Sequence, residues 1–167
     1  MRVIGVVGWK NNGKTTLVVR LIEHLTERGL RVSTVKHAHH SVDLDQPGKD
    51  TWRHRQAGAG EVILATGRRW ILMHELRDED EPPLEALLVK LAPADLVIVE
   101  GFKGSSLPKI EVHRGERGTA LIAREDPDVV AVAADIPIED LGVPVLHLDD
   151  IAAIAETALA HSQEIET

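Results

Sequence analysis

Residues 3–7 (VIGVV) form an unbroken apolar run, the pattern of a strand buried on both faces. Residues 96–99 (LVIV), 129–133 and 143–148 read the same way. After the first run the period changes. Leu17, Leu21 and Leu25 recur four apart, Val18 and Ile22 widen the stripe, and Arg20, Glu23, Glu27 and Arg28 take the other side. This predicts an amphipathic helix over 15–28, with Gly29 as its terminator. Residues 31–36 (RVSTVK) alternate and predict a strand. A polar loop over 37–48 and a short helix over 49–57 follow. Residues 61–65 and 69–76 flank Thr66-Gly67-Arg68, which reads as a hairpin turn. Pro82-Pro83 open a helix through Lys90. Residues 109–113 predict a strand, residues 114–118 a Gly-rich turn, and Asp149-Asp150 cap a last helix over 151–160. Apolar strands alternating with helices predict an α/β fold, a three-layer, mostly parallel doubly wound sheet with an added β-hairpin. Residues 1–162 read as a single domain and 163–167 as a frayed tail.

Composition narrows this picture. The chain has 167 residues, 43% of them hydrophobic, enough for one sizeable core. Aromatic residues are only 2%, so that core must be aliphatic. With no cysteine there is no disulfide, thiolate nucleophile or Cys-ligated zinc. No apolar run approaches the roughly 18 residues of a membrane-spanning helix. The N-terminal run is short and leads into Gly and Lys, so it is expected to be a strand and not a leader. A soluble cytoplasmic protein is the expectation. A net charge of −8 argues against a general nucleic-acid binder. Acid concentrates at 77–81 (RDEDE), while positive charge gathers in 49–55 and 103–117. A local anion site within an acidic chain points to a small phosphorylated ligand.

Directly after the first buried strand stands Gly8-Trp9-Lys10-Asn11-Asn12-Gly13-Lys14-Thr15, a G-x-x-x-x-G-K-[ST] phosphate loop. Glycines let backbone N–H groups turn toward phosphate oxygens, and the helix that follows presents its N-terminus to the anion. Lys14 supplies a point charge for the β- and γ-phosphates, and the Thr15 hydroxyl is a magnesium ligand. Gly8, Asn11, Asn12, Gly13, Lys14, Thr15 and Thr16 are therefore the expected triphosphate-binding residues. P-loop proteins place a second carboxylate at the end of a buried strand. Asp95–Gly101 (DLVIVEG) fits, with Glu100 beside magnesium and Gly101 next to it.

Five segments together resemble one family, the molybdopterin-guanine dinucleotide biosynthesis protein B family within the SIMIBI branch of P-loop proteins. They are GWKNNGKTTL (8–17), TVKHAHH (34–40), DQPGKDTWRHRQAGA (45–59), DLVIVEGFK (95–103) and PKIEVHR (108–114). The resemblance implies a GTP- and magnesium-binding protein with weak hydrolysis. It would act as an adapter for the guanylyltransferase that joins a guanine nucleotide to molybdopterin in molybdenum cofactor synthesis. It also implies a homodimer built around extended sheets. Lys14, Glu100 and Asp50 are the expected catalytic or water-orienting residues. Arg53 is the best candidate for a phosphate or pterin-phosphate contact because guanidinium binds phosphate bidentately. Lys103 and Lys109 are weaker candidates of the same kind. Asp135, after the strand at 129–133, reads either as the acceptor for guanine or as a turn residue before Ile136-Pro137.

Two other function classes fit parts of the pattern. VEG after a buried strand also resembles the ATP-dependent dethiobiotin-synthetase-like ligases. His37, His39 and His40, with Asp43 and Asp45 nearby, allow a metallochaperone GTPase. Polar residues of a substrate-facing loop are the plainer reading of the same histidines.

Overall fold

The computed structural model describes residues 1–38 and 43–165. Its chain runs β1 (Arg2–Val7), α1 (Lys14–Glu27), β2 (Val32–Lys36), α2 (Asp50–Gln56), β3 (Glu61–Ala65), β4 (Trp70–His74), α3 (Leu84–Leu88), β5 (Leu96–Glu100), β6 (Lys109–His113), β7 (Val129–Ala134), β8 (Val145–His147), α4 (Ile151–His161) and β9 (Gln163–Glu164). The sequence pattern reads 1–162 as one domain. The contacts group into two compact units, residues 1–37 with 84–167, and residues 38–83.

The first unit is built on the apolar runs. They lie side by side in the order β2-β5-β1-β6-β7-β8, all parallel. On one face Ile4, Val6, Ile98, Ile110 and Val112 pack against Leu17, Leu21 and Leu25 of α1 and Ile154, Ala155 and Ala158 of α4. The stripe read from the sequence is the buried face of α1, and Asp150 caps α4 through Ala153 N–H (3.0 Å). On the other face Leu84 and Leu88 of α3 cover Val3, Val97 and Val99, while Leu121, Ile122 and Ile138 cover Val7, Val132 and Ala134. This second layer is thin. Between β6 and β7 the chain forms two short 3-10 turns, Gly115–Arg117 and Ile122–Arg124, in place of a crossover helix.

Two expectations change here. The segment 163–165 does not fray. Gln163 and Glu164 pair antiparallel with Val3 and Arg2, and the Met1 amine donates to Ile165 O (2.9 Å). The cause is a gap in the ladder: β6 pairs only with Gly5, Val6 and Val7, so the edge at Arg2 and Val3 needs another strand. Lys109 is no phosphate contact. It starts β6 opposite Gly5, inside the sheet and below the level of the phosphate loop, and is 1% exposed. Its amine reaches Asp126 (2.7 Å) and Asp128 (3.5 Å). Gly5 makes room for its stem, because a Cβ there would lie 2.8 Å from Lys109 Cγ.

The second unit contains α2 and the antiparallel hairpin of β3 and β4, whose turn is closed by Thr66 Oγ1 donating to Arg69 O (2.9 Å). Arg55 organises it, pairing with Asp43 (3.0 Å), Asp45 (3.2 Å) and Glu75. Those bonds raise the Arg55 pKa, hydrogen bonding to Asp43 foremost, and Asp43 is lowered chiefly by the same contact. The carboxylates weighed as metal ligands from the sequence are thus engaged by a guanidinium. The hairpin leaves Ile63, Leu64, Trp70, Ile71 and Leu72 exposed.

Candidate nucleotide site

The phosphate loop leaves β1 through Gly8 at φ 151°. A Cβ there would meet Val112 O at 2.6 Å, so only glycine lets the loop pass this close to β6. Asn11 (φ 65°) and Gly13 (φ 94°) adopt left-handed backbone, which curls the loop back on itself. Helix α1 then starts at Lys14. Its N-terminus has no side-chain cap and no acid in its first turn. Such an N-terminus leaves N–H donors for an anion.

Four side chains meet around the loop. The Lys14 amine donates to Gly8 O and Trp9 O, both at 2.9 Å. Burial lowers its pKa, and the Lys103 charge adds to this. Thr15 Oγ1 donates to Glu100 Oε1 (2.7 Å), and Lys36 Nζ donates to the same oxygen (2.9 Å). Glu100 is 7% exposed, since β5 is central and its last residue lies beside β1. Gly101 (φ 99°) turns the chain away, where a Cβ would press on His37 Cβ at 3.0 Å. Lys103 Nζ sits 3.8 Å above the Trp9 ring, whose Nε1 donates to Ala120 O (2.7 Å).

The structure brings Gly8, Gly13, Lys14, Thr15, Glu100 and Gly101 together. Thr16 is exposed in the first turn of α1, and Asn11 is exposed in the loop. Asn12 is fully buried and works within the protein. Its Oδ1 accepts Arg114 N–H (3.1 Å), and its amide donates to Thr119 Oγ1 (3.3 Å). Asp135 directly follows β7 and accepts Gly115 N–H (2.9 Å) and an Arg114 N–H (3.3 Å). The Gly115 bond is the main reason its pKa is lowered. Asp50 and Arg53 are exposed on α2 of the second unit. His37 stacks on Phe102 at 4.7 Å between ring centroids, while His39 and His40 lie outside the described residues.

Two residues were missed from the sequence. Lys36 looks like one more polar position in an alternating strand, but the order β2-β5-β1 sets it opposite Glu100. Arg114 lies against the loop, with its Nε 3.2 Å from where a Gly13 Cβ would be. A basic residue at or directly after the end of β2 and β6, the two strands that flank the β5-β1 pair, was the available signal. The assembly can do one thing well. It sets an uncapped helix end and the Lys14 and Lys36 ammonium groups beside a carboxylate and hydroxyl pair, the donors a phosphate and its cation require.

Comparison with known proteins agrees with this geometry. The model for "Molybdopterin guanine dinucleotide synthesis protein B" matches residues 3–135. The chain is 39% identical over 166 residues to the molybdopterin-guanine dinucleotide biosynthesis adapter protein of Escherichia coli (strain K12), covering 96% of this chain and 93% of that one. It is 40% identical over 153 residues to the adapter protein of the same name from Haemophilus influenzae, covering 92% and 85%. A crystal structure of molybdopterin-guanine biosynthesis protein B superposes with a TM-score of 0.74 at 27% identity, covering 95% of this chain and 98% of the other. The chain belongs to the molybdopterin-guanine dinucleotide synthesis protein B family.

Proposed function

We propose that the chain is an adapter in molybdenum cofactor biosynthesis that binds GTP and magnesium through its phosphate loop. In this reading it assists the guanylyltransferase that attaches a guanine nucleotide to molybdopterin. The observation that carries it is the meeting of Lys14, Thr15, Lys36 and Glu100 at an uncapped helix N-terminus. The names of the relatives support the guanine and pterin part.

In the mechanism, the N–H groups of the first turn of α1 and the Lys14 ammonium hold the β- and γ-phosphates. The arriving charge offsets the burial and the Lys103 repulsion that lower the Lys14 pKa. The Thr15 hydroxyl and Glu100 carboxylate are the hard oxygen ligands magnesium prefers, and they already lie 2.7 Å apart. Magnesium would neutralise phosphate charge there. Asp135 is the candidate reader of the base, Asp50 the candidate water-orienting residue and Arg53 the candidate phosphate contact. Turnover is expected to be slow, as in phosphoryl transfer without a supplied arginine finger. The exposed Ile63, Leu64, Trp70, Ile71 and Leu72 on one two-stranded ribbon support self-association through the hairpin.

Equilibrium titration with non-hydrolysable GTP and ATP analogues in magnesium tests the reading, followed by co-purification with the guanylyltransferase. GTP preference and capture of the partner are expected. A clear ATP preference would favour the ligase class and sink the adapter reading.

A further inference from the structure

Three polar groups close a small triangle beside the phosphate loop. Thr15 Oγ1 donates to Glu100 Oε1 (2.7 Å), and the Lys36 ammonium donates to both oxygens, at 2.9 Å to Glu100 and 3.2 Å to Thr15. Burial makes the third corner necessary. The Glu100 side chain is 10% exposed, and a buried carboxylate without a cation is costly. Lys14 does not serve it, because its amine is bonded to Gly8 O and Trp9 O. The neutralising charge comes from the last residue of β2, which pairs in register with Glu100.

Thr15 and Glu100 are also the two hard oxygens suited to magnesium. Lys36 bonds that same pair. A monovalent and a divalent cation on one oxygen pair repel strongly in a partly buried site, so the two arrangements exclude each other. Lys36 is placed to give way. Its side chain is 55% exposed, so the stem can swing without unpacking the core. The parallel pairing of β2 and β1 with β5 leaves it at the sheet end that carries the phosphate loop. Phosphate arriving at the N-terminus of α1 offers its ammonium another anion.

We propose that Lys36 is the built-in counter-ion of the magnesium position. It neutralises Glu100 until metal and nucleotide arrive together, then yields both oxygens to the metal and moves to a phosphate oxygen. Metal alone must expel Lys36 into water; metal with a triphosphate need not. Lys36 is thus a positioning residue that makes metal binding depend on the nucleotide, a coupling that acts equally in both directions. The inference rests on the phosphate-loop reading of the site. A Lys36 that only braced Thr15 against Glu100 would give the opposite sign, since its loss would loosen the two oxygens and weaken the metal.

The test measures manganese binding to the full chain by electron paramagnetic resonance, alone and with a non-hydrolysable GTP analogue. It compares the wild type, Lys36→Met, Lys36→Arg and Lys36→Met/Glu100→Gln. Manganese suits the same oxygen ligands as magnesium. Without nucleotide, Lys36→Met should bind manganese about tenfold or more tightly than the wild type, because the buried carboxylate has lost its cation. Lys36→Arg should stay near the wild type, and the double variant should lose the gain. The increase in manganese affinity on adding the analogue should be about tenfold smaller in Lys36→Met than in the wild type. Circular dichroism checks the fold, and Lys36→Gln replaces Lys36→Met if that variant misfolds. Unchanged or weaker manganese binding by the neutral variant, a gain shared by Lys36→Arg, a gain that survives Glu100→Gln, or an equal increase with the analogue overturns the proposal. If the analogue binds the wild type and the manganese affinities do not differ, only the role of Lys36 fails. If the analogue does not bind the wild type, the phosphate-loop reading fails.

Discussion

Asp126→Ala would strand the most deeply buried cation of the described residues. The Lys109 amine, 1% exposed, would keep only Asp128 at 3.5 Å. Removing one partner of a buried pair costs roughly 3–5 kcal/mol, because an uncompensated charge remains. The surviving Asp128 contact and the partial exposure of Asp126 (19% of its side chain) set the value at the lower end, about 3 kcal/mol. Lys109→Met removes the other partner with a different outcome. Asp126 keeps the Asp128 N–H (3.0 Å) and its access to water, and the thioether follows the same path past Gly5. A near-isosteric swap of this kind costs about 1 kcal/mol. Urea denaturation of the wild type and both variants measures the asymmetry, and a triphosphate-analogue titration of Lys109→Met measures function. Affinity should stay within about twofold, a change of less than 0.5 kcal/mol. The reasoning is refuted if Lys109→Met costs as much stability as Asp126→Ala. It is equally refuted if Lys109→Met stays folded and loses tenfold in triphosphate affinity.

Two further outcomes follow from the geometry. Glu100→Gln keeps an acceptor for Thr15 but deletes the charge that faces Lys36, so the gain in GTP affinity on adding magnesium should shrink about tenfold, or 1.4 kcal/mol. Titrations with magnesium and with a chelator measure it, and an unchanged ratio would show that Glu100 does not serve the metal. His74 holds Glu61 on one ring nitrogen (2.9 Å) and Glu79 on the other (3.3 Å), and the Glu61 bond foremost raises its pKa above the ordinary 6.5. A raised folded-state pKa means the stabilisation is fully present below about 6.5 and is lost as pH rises through the higher folded value. An NMR titration should place the His74 midpoint above 6.5 and see it fall in Glu61→Gln; a midpoint at 6.5 in both proteins contradicts the pairing.

What the sequence made legible was the part set by local rules. The buried run, the glycine turn and the leucine stripe of α1 each follow from spacing, and Glu100 followed from the end of a second buried run. What it hid depended on which strands become neighbours. Lys36 acquires its role only because β2 adds beside β5. Lys109, Glu111 and His113 alternate with Ile110 and Val112, the pattern of a strand with one wet face. The segment 119–128 covers that face and turns it into buried polar pairs. Asn12 reads as a loop donor for phosphate, yet the return of the chain at Arg114 buries it. Strand order and long-range cover leave no local signature, so the partners of these residues could not be read from spacing.

The central claim is that this chain holds GTP by its phosphate loop. Titrating a fluorescent non-hydrolysable GTP analogue into the wild type and Lys14→Ala, with circular dichroism on both, tests it most directly. The account predicts magnesium-assisted binding to the wild type. It predicts a loss of tenfold or more in Lys14→Ala, about 1.4 kcal/mol or greater, with an unchanged fold. Equal affinity in the two proteins would contradict it.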